Sequence, residues 1–271
     1  MAHVLRRAAM LAYEFMQRAF IVGSVLAVIL PLIGLPVLLK RLAVMGDTLS
    51  HASLAGVAAG LCFGFNPLFG SMVACIIAAL SVEVVRERLK AYQEISAVIV
   101  LAAAIGLAGM FTSFTGNAGN SIASYLFGSI VTIDDNELIL VIAVAGVVIT
   151  LYSVLYKQIY LSVFDPAAAP LLGIKTQRLN VLFAFLVAIS VSIAAKTIGS
   201  LIVSSLLVLP VICAMQFTRT YLGTLLAGIG LSLAYVYCGL TLSYYYNLKP
   251  GSVVVLLAVA GLLISLLFKR K

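Results

Sequence analysis

The chain has 271 residues, 63% of them hydrophobic and 10% charged, with a net charge of +8 and a mean hydropathy of +1.20. A soluble domain carries about 45–50% apolar and about 25% charged residues, so a water-facing enzyme, a disordered chain and a nucleic-acid-binding domain are excluded. The cations sit in short clusters between apolar runs, the arrangement of loops meeting anionic lipid. The composition is that of an all-α, polytopic membrane bundle.

In chain order, residues 4–18 come first. Arg6, Arg7, Glu14 and Arg18 alternate there with Leu, Met, Tyr and Phe, which reads as an amphipathic helix lying in the interface. Glu14 and Arg18 leave no uninterrupted apolar core for a cleavable signal peptide. A crossing helix needs about 20 mainly apolar residues. The runs that qualify are 19–39, 44–65, 67–85, 95–114, 137–156, 179–195, 199–217, 221–242 and 251–268. The run 121–133, with Tyr125, Leu126, Phe127 and Gly128, is too short to cross and is expected at one surface or part-way in. Eight or nine spans are expected, in a single domain over residues 1–271.

Lysine and arginine set the orientation. Twelve fall in one set of loops (Lys40, Arg41, Arg86, Arg88, Lys90, Lys157, Lys175, Arg178, Arg219, Lys269, Arg270 and Lys271) and five on the other side (Arg6, Arg7, Arg18, Lys196 and Lys249). The C-terminus is therefore expected in the cytoplasm. The four cysteines lie in apolar stretches without a CxxC or Cys/His cluster, so neither a disulfide framework nor a structural zinc site is expected. Gly56, Gly60 and Gly64 make two overlapping GxxxG steps that permit close helix approach. Pro31, Pro36 and Pro210 fall inside spans, where each removes a backbone donor and should kink its helix.

Asp47 is the acidic residue inside an apolar run, and His51 follows one turn later. Positions i and i+4 share a helical face, so a carboxylate and an imidazole point the same way, with the hydroxyls of Thr48 and Ser50 nearby. That pair suits a divalent first-row metal, zinc above all, and an intramembrane charge usually marks a pathway. The spacing equally allows Asp47 to be the N-cap of the helix that begins at Thr48.

The longest loop on the positive side runs over 157–178. Within it, segment 163–174 reads as a short helix with both ends specified. Asp165 is a good N-cap, Pro166 suits the first helical position, and Gly173 suits the stop. Phe164, Leu171 and Leu172 give it more apolar surface than a solvated connector needs. It is either a docking knob for a soluble partner or a helix lying flat on the bilayer.

Together these segments resemble the membrane permease of ABC-type zinc, manganese and iron importers, a type II importer-like fold, and most resemble the zinc permeases. The resemblance rests on Tyr13–Phe20, similar to the family's first helix; on Gly46-Asp-Thr-Leu-Ser-His51 through Leu54; on Tyr125–Val131; and on Gly199–Pro210, the Pro-kinked helix. It implies a homodimer in which Asp47 and His51 line the metal path, with Thr48, Ser50 and Asn247 as auxiliary polar residues. It also implies that segment 163–174 couples to a cytoplasmic ATPase dimer, and that an extracellular lipoprotein or periplasmic binding protein delivers the metal at the plasma membrane of a bacterium. No cofactor is implied beyond the transported Zn2+, Mn2+ or Fe2+. Many relatives carry Asp where this chain has Asn247, a departure at the outer end of the path.

The chain has no Walker A sequence; Gly173-Ile-Lys-Thr176 lacks the glycine-rich loop. ATP hydrolysis is therefore assigned to a partner, and the chain is not expected to be an enzyme. A secondary transporter or channel is the competing class, but it would usually carry more intramembrane acids. An intramembrane metalloenzyme would need a ligand set such as HExxH, and His3 and His51 are too far apart to supply one.

Overall fold

A computed structural model describes residues 13–89, 93–114 and 134–268. Ten helices run through them: α1 (Glu14–Leu39), α2 (Met45–Phe63), α3 (Pro67–Arg88), α4 (Ile95–Phe114), α5 (Asp135–Phe164), the single turn α6 (Ala168–Leu171), α7 (Thr176–Ile198), α8 (Ser200–Phe217), α9 (Tyr221–Tyr246) and α10 (Pro250–Phe268). The run 121–133 lies outside the described residues, as does most of the interfacial helix expected over 4–18. The described part of the latter, Glu14–Arg18, is the first turn of α1. There Arg18 pairs with Glu14 and, at 2.8 Å, with Asp135, so these polar residues tie α1 to the start of α5.

Seven of the helices (α1, α3, α4, α5, α7, α9 and α10) are long and apolar enough to cross a membrane. Two more are nearly as long, α2 with 19 residues and α8 with 18. Asp47, Thr48, Ser50, His51 and Ser53 dilute the hydropathy of α2, and the clearly apolar part of α8 is only Ile202–Phe217.

Short connections make successive long helices antiparallel. At one end of the bundle Lys40 donates to Asn180 Oδ1 (2.7 Å), Gln177 donates to Glu87 (3.1 Å), and Phe164 meets Tyr221 with ring centroids 6.0 Å apart. At the other end lie the Arg18–Asp135 and Lys196–Glu137 pairs. The basic clusters Lys40-Arg41 and Arg86–Arg88 thus gather on one side, as their spacing in the sequence predicts.

α1 and α7 are the interior helices, each with 72% of its apolar window buried, against 28% for α4, α5 and α10. Exposed Ile, Val and Leu side chains on those outer helices face the position of lipid. Small residues let the inner helices close up. A methyl at Gly56 would run into the Gly70 carbonyl and one at Gly34 into the Leu207 carbonyl, so α2 lies backbone-to-backbone on α3, and α1 on α8. The last glycine of the GxxxG series does something else: Gly64 adopts φ +74° and ends α2.

Candidate metal-translocation site

α2 packs on α3, α4, α7 and α8, and polar contacts fix its rotation. Thr48 Oγ1 donates to the carbonyls of Val44 and Ala97, both at 3.0 Å. The Cys75 thiol donates to Leu49 O at 3.2 Å. Ser53, Ser71 and Ser192 form a buried hydroxyl chain with steps of 2.7 and 2.8 Å across α2, α3 and α7. In the first three turns of α2 the residues left uncovered are Asp47, His51 and Leu54, which with Val44 just before the helix form one stripe at helical spacing; the last turn, ending at Phe63, is open as well.

Asp47 is exposed and His51 half-buried; no hydrogen bond or ion pair with the described residues engages either side chain. One helical turn separates them, which sets their Cβ atoms about 5–6 Å apart. Capping does not account for Asp47. The helix begins at Met45 after Val44, so Asp47 sits inside the first turn, where its charge also meets the positive end of the helix dipole.

Depth follows from the neighbours. Gly46 abuts Ser204, with 3.3 Å from a Cβ placed on Gly46 to the Ser204 Cα; from Ser204 to the end of α8 at Phe217 is roughly 20 Å of helix. The Cys75 contact with Leu49 likewise lies roughly 20 Å of helix from Arg88. The start of α2 therefore lies short of the ends of α3 and α8, level with the first turn of α4, where Thr48 meets Ala97.

The other expected site residues divide. Thr48 is buried and both its contacts are to carbonyls, so it anchors α2. Ser50 is 2% exposed and its hydroxyl has no hydrogen-bond partner among the described residues. Asn247 is exposed at φ +50°, the left-handed stop of α9. It lines a cavity with Phe15 and Tyr244 at the opposite end of the bundle, so it is not brought together with Asp47 and His51. Pro210 is buried within α8. Lacking an N–H, it cannot bond back to Leu206. One residue was missed from sequence: Ser204, whose hydroxyl is also buried and unpartnered, faces Gly46 one turn from Ser50. Its signal was the Ser204-Ser205 pair in an otherwise apolar helix.

Among the described residues no group of three or more His, Cys, Asp and Glu side chains converges.

At the basic end, Asp165 ends α5 and its carboxylate accepts the Ala168 N–H at 2.9 Å. Gly173 (φ +79°) closes the turn with Gly173 N–H bonded to Pro170 O and Ile174 N–H to Ala169 O, the Schellman arrangement. The helix is a single turn, because Pro166 and Pro170 flank and interrupt it. It holds Leu171 and Leu172 87% and 69% exposed, beside Phe164 at 56%. Behind it Phe164 and Tyr160 pack on Tyr221, and Tyr152 and Tyr221 share a hydrogen bond of 2.6 Å between their hydroxyls.

A bundle of long apolar helices with a more polar α2 packed among them and an exposed apolar turn at one end is the build of a polytopic membrane protein such as a permease. The chain belongs to the family described as "ABC 3 transport family", which matches residues 12–269. It is 32% identical to a "Probable metal transport system membrane protein" of Treponema pallidum over 94% of this chain and 96% of that one. It is 28% identical to a manganese transport system membrane protein of Listeria monocytogenes (97% and 93% covered) and 28% identical to a high-affinity zinc uptake system membrane protein of Haemophilus influenzae (96% and 99%). Its fold matches PsaBC from Streptococcus pneumoniae, solved in complex with Fab, with TM-score 0.85 and 22% identity over 99% and 97% of the two chains. As the permease subunit of an ABC system it is not an enzyme; the ATPase is a separate subunit.

Proposed function

We propose that the chain imports a divalent metal, zinc, across the plasma membrane of a bacterium as a homodimer, with its C-terminus in the cytoplasm. In this reading α2 and α8 also cross, giving nine spans, and the stripe bearing Asp47 and His51 faces the path. The observation that carries it is an acid and an imidazole one turn apart, short of the ends of α3 and α8 and uncommitted to any described partner. An intramembrane carboxylate costs about 2.5–3.5 kcal/mol on insertion scales, and nothing described in the chain's own packing offsets it.

Two copies facing each other across an axis supply two carboxylates and two imidazoles, a four-ligand set suited to zinc. Neither copy alone closes a site, and that favours release, since a path must bind weakly enough for its cargo to leave. An external binding protein delivers the metal at the Asn247 end. The ATPase docks at the other end on Phe164 and the Asp165–Gly173 turn, whose exposed leucines suit an apolar socket. Manganese or iron is the second reading: an Asp/His pair accepts all three metals, and relatives named for manganese and iron are as similar as the one named for zinc.

The test is isotope uptake in cells expressing Asp47→Ala or His51→Ala at wild-type levels. Uptake should fall at least about tenfold, the loss of a charged ligand worth over about 1.4 kcal/mol, and competition by manganese or iron ranks the metals. Near-normal uptake by both variants would remove the ligand assignment.

A further inference from the structure

At the basic end, between the α1–α2 turn and the ends of α3, α5 and α7, a half-open cavity of about 350 Å³ is lined by Lys40, Arg41, Arg86, Gln93 and Thr176 among others, with Val163 and Pro166 of the 163–174 segment on one side. Asp47 and His51 are not among its lining residues.

The charges do not balance. Arg86 pairs with the buried Glu83 at 3.3 Å, but Glu83 Oε1 gains no aligned hydrogen bond from it. Arg41 meets Glu94 at 3.7 Å, both well exposed, a contact of little strength. Lys40 forms no ion pair: its ammonium donates to the neutral Asn180 Oδ1 and lies 5.3 Å from the centre of the Phe183 ring. Three cations thus face two carboxylates. Burial and the neighbouring Arg86 press the Lys40 ammonium down to about 8, with Glu83, itself paired to Arg86, opposing them only in part, the response of a cation without a counter-ion of its own.

The backbone adds an independent observation. Lys40 ends α1, the Arg41 N–H bonds to Leu38 O and the Leu42 N–H to Val37 O, so Arg41 fills the left-handed position of a Schellman stop, with φ +59°. Glycine is the usual residue there, and a side chain in that conformation costs roughly 1–2 kcal/mol. The chain keeps a guanidinium beside the cavity where the fold alone favours glycine.

We propose that this cavity binds a phosphate group, whether carried by an anionic lipid headgroup or free as inorganic phosphate. Donors converge from several directions: the ammonium of Lys40, the guanidinium groups of Arg41 and Arg86, the Gln93 amide and the Thr176 hydroxyl. That distribution matches a tetrahedral anion with several oxygens better than a two-oxygen carboxylate. The cavity opens at the ends of spanning helices, where lipid phosphates lie, and basic clusters there attract anionic lipid. Occupation supplies a counter-charge to Lys40 and ties the α1–α2 turn, which leads into the first turn of α2, to the ends of α3 and α7.

The full-length chain in phosphatidylcholine nanodiscs tests this by thermal unfolding. Inorganic phosphate is titrated against chloride at matched ionic strength, and in a second series phosphatidylglycerol replaces part of the lipid. Wild type should be stabilised by phosphate, which assigns the free anion, or by phosphatidylglycerol alone, which assigns the headgroup. Lys40→Met and Arg41→Gly should each weaken the response at least about tenfold, the loss of a charge-assisted hydrogen bond, and Lys40→Arg should retain it. Arg41→Gly should at the same time unfold at a higher temperature than wild type without phosphate, which no purely structural role for Arg41 predicts. No response to either addition, an equal response to chloride, or unchanged binding by Lys40→Met and Arg41→Gly would overturn the proposal. Loss of ATPase co-purification by Lys40→Met with phosphate and lipid responses intact would assign the cavity to a protein carboxylate instead.

Discussion

The hydrogen bond between the Tyr152 and Tyr221 hydroxyls joins α5 to the first residue of α9 directly behind the Asp165–Gly173 turn, and its geometry makes a quantitative prediction. The bond is 2.6 Å long, the two residues are 2% and 8% exposed, and neither hydroxyl has another partner among the described residues. Tyr152→Phe removes one hydroxyl and strands the other in a dry, aromatic setting. An orphaned buried polar group costs about 1–3 kcal/mol, whereas removing both partners of a bond is nearly neutral. Tyr152→Phe and Tyr221→Phe should therefore each destabilise the chain by about 1–2 kcal/mol. The double variant should lose less than the sum, because neither change then leaves an unsatisfied group; ring packing onto Tyr160 and Phe164 at centroid distances of 5.3 and 6.0 Å survives in all three. Reversible unfolding by a denaturing detergent, monitored by helical circular dichroism, gives the four free energies of the cycle. A coupling of about 1 kcal/mol or more is expected for contacting residues. Strictly additive losses would refute the reasoning, because they would mean that water or lipid headgroups already satisfy each hydroxyl.

Two further outcomes follow from the basic end. Lys40 faces Arg86 and Glu83 from α3, Asn180 and Phe183 from α7 and Arg41 beside it. With its ammonium held at about 8 against an ordinary 10.5, the folded chain binds fewer protons than the unfolded one between those values. Without phosphate, stability relative to Lys40→Met should therefore rise as pH increases through that window, and phosphate affinity should fall over the same range as the ammonium is lost; a flat profile in both measurements would count against an enclosed, unpaired Lys40. The Asp165–Gly173 turn makes the other prediction: Phe164→Ala with Leu171→Asp should abolish co-purification with the ATPase while leaving membrane insertion intact, since Leu171 is 87% exposed and Phe164, which meets Tyr160 and Tyr221 on one face, is 56% exposed.

Much of the fold was legible because its signals are local. Apolar runs located the seven clearly apolar helices, five of them to within about four residues at both ends, and Gly173 and Asp165 bracketed the turn of α6; α3 starts at Pro67 as expected, with Asn66 Oδ1 accepting the Leu68 N–H at 2.9 Å. The boundaries that moved did so through tertiary contacts. α1 begins at Glu14 because Arg18 reaches Asp135, more than a hundred residues away, and α5 extends to Phe164 because Tyr156, Tyr160 and Phe164 pack on Tyr221. The depth of Asp47 was illegible for the same reason. It depends on which part of α8 and α3 lies opposite α2, and no periodicity carries that information. The cationic cavity was likewise visible only as scattered basic residues, since Lys40, Arg86 and Asn180 meet through folding alone.

α2 is a long helix that falls short of a membrane span by hydropathy, and it is also the helix along which the metal path is proposed; a single cause links the two. As an isolated segment α2 would enter a bilayer poorly, since Asp47 alone costs about 2.5–3.5 kcal/mol and each unpaired polar group in hydrocarbon adds to that. Folded, it presents Thr48 to a carbonyl of α4, Ser53 to hydroxyls of α3 and α7, the Leu49 carbonyl to the Cys75 thiol and Gly56 to the backbone of α3. Outside the stripe of Asp47 and His51, Thr48 and Ser53 are thus satisfied by neighbouring helices, while the buried Ser50 hydroxyl has no partner among the described residues. An apolar helix in that position would insert more readily, whereas α2 is held by hydrogen bonds and close backbone contacts with α3, α4 and α7 rather than by hydropathy of its own. Under the proposed metal-path reading, the polarity it retains at Asp47 and His51, where packing gains nothing from it, is what would give a passing cation a ligand to exchange for water.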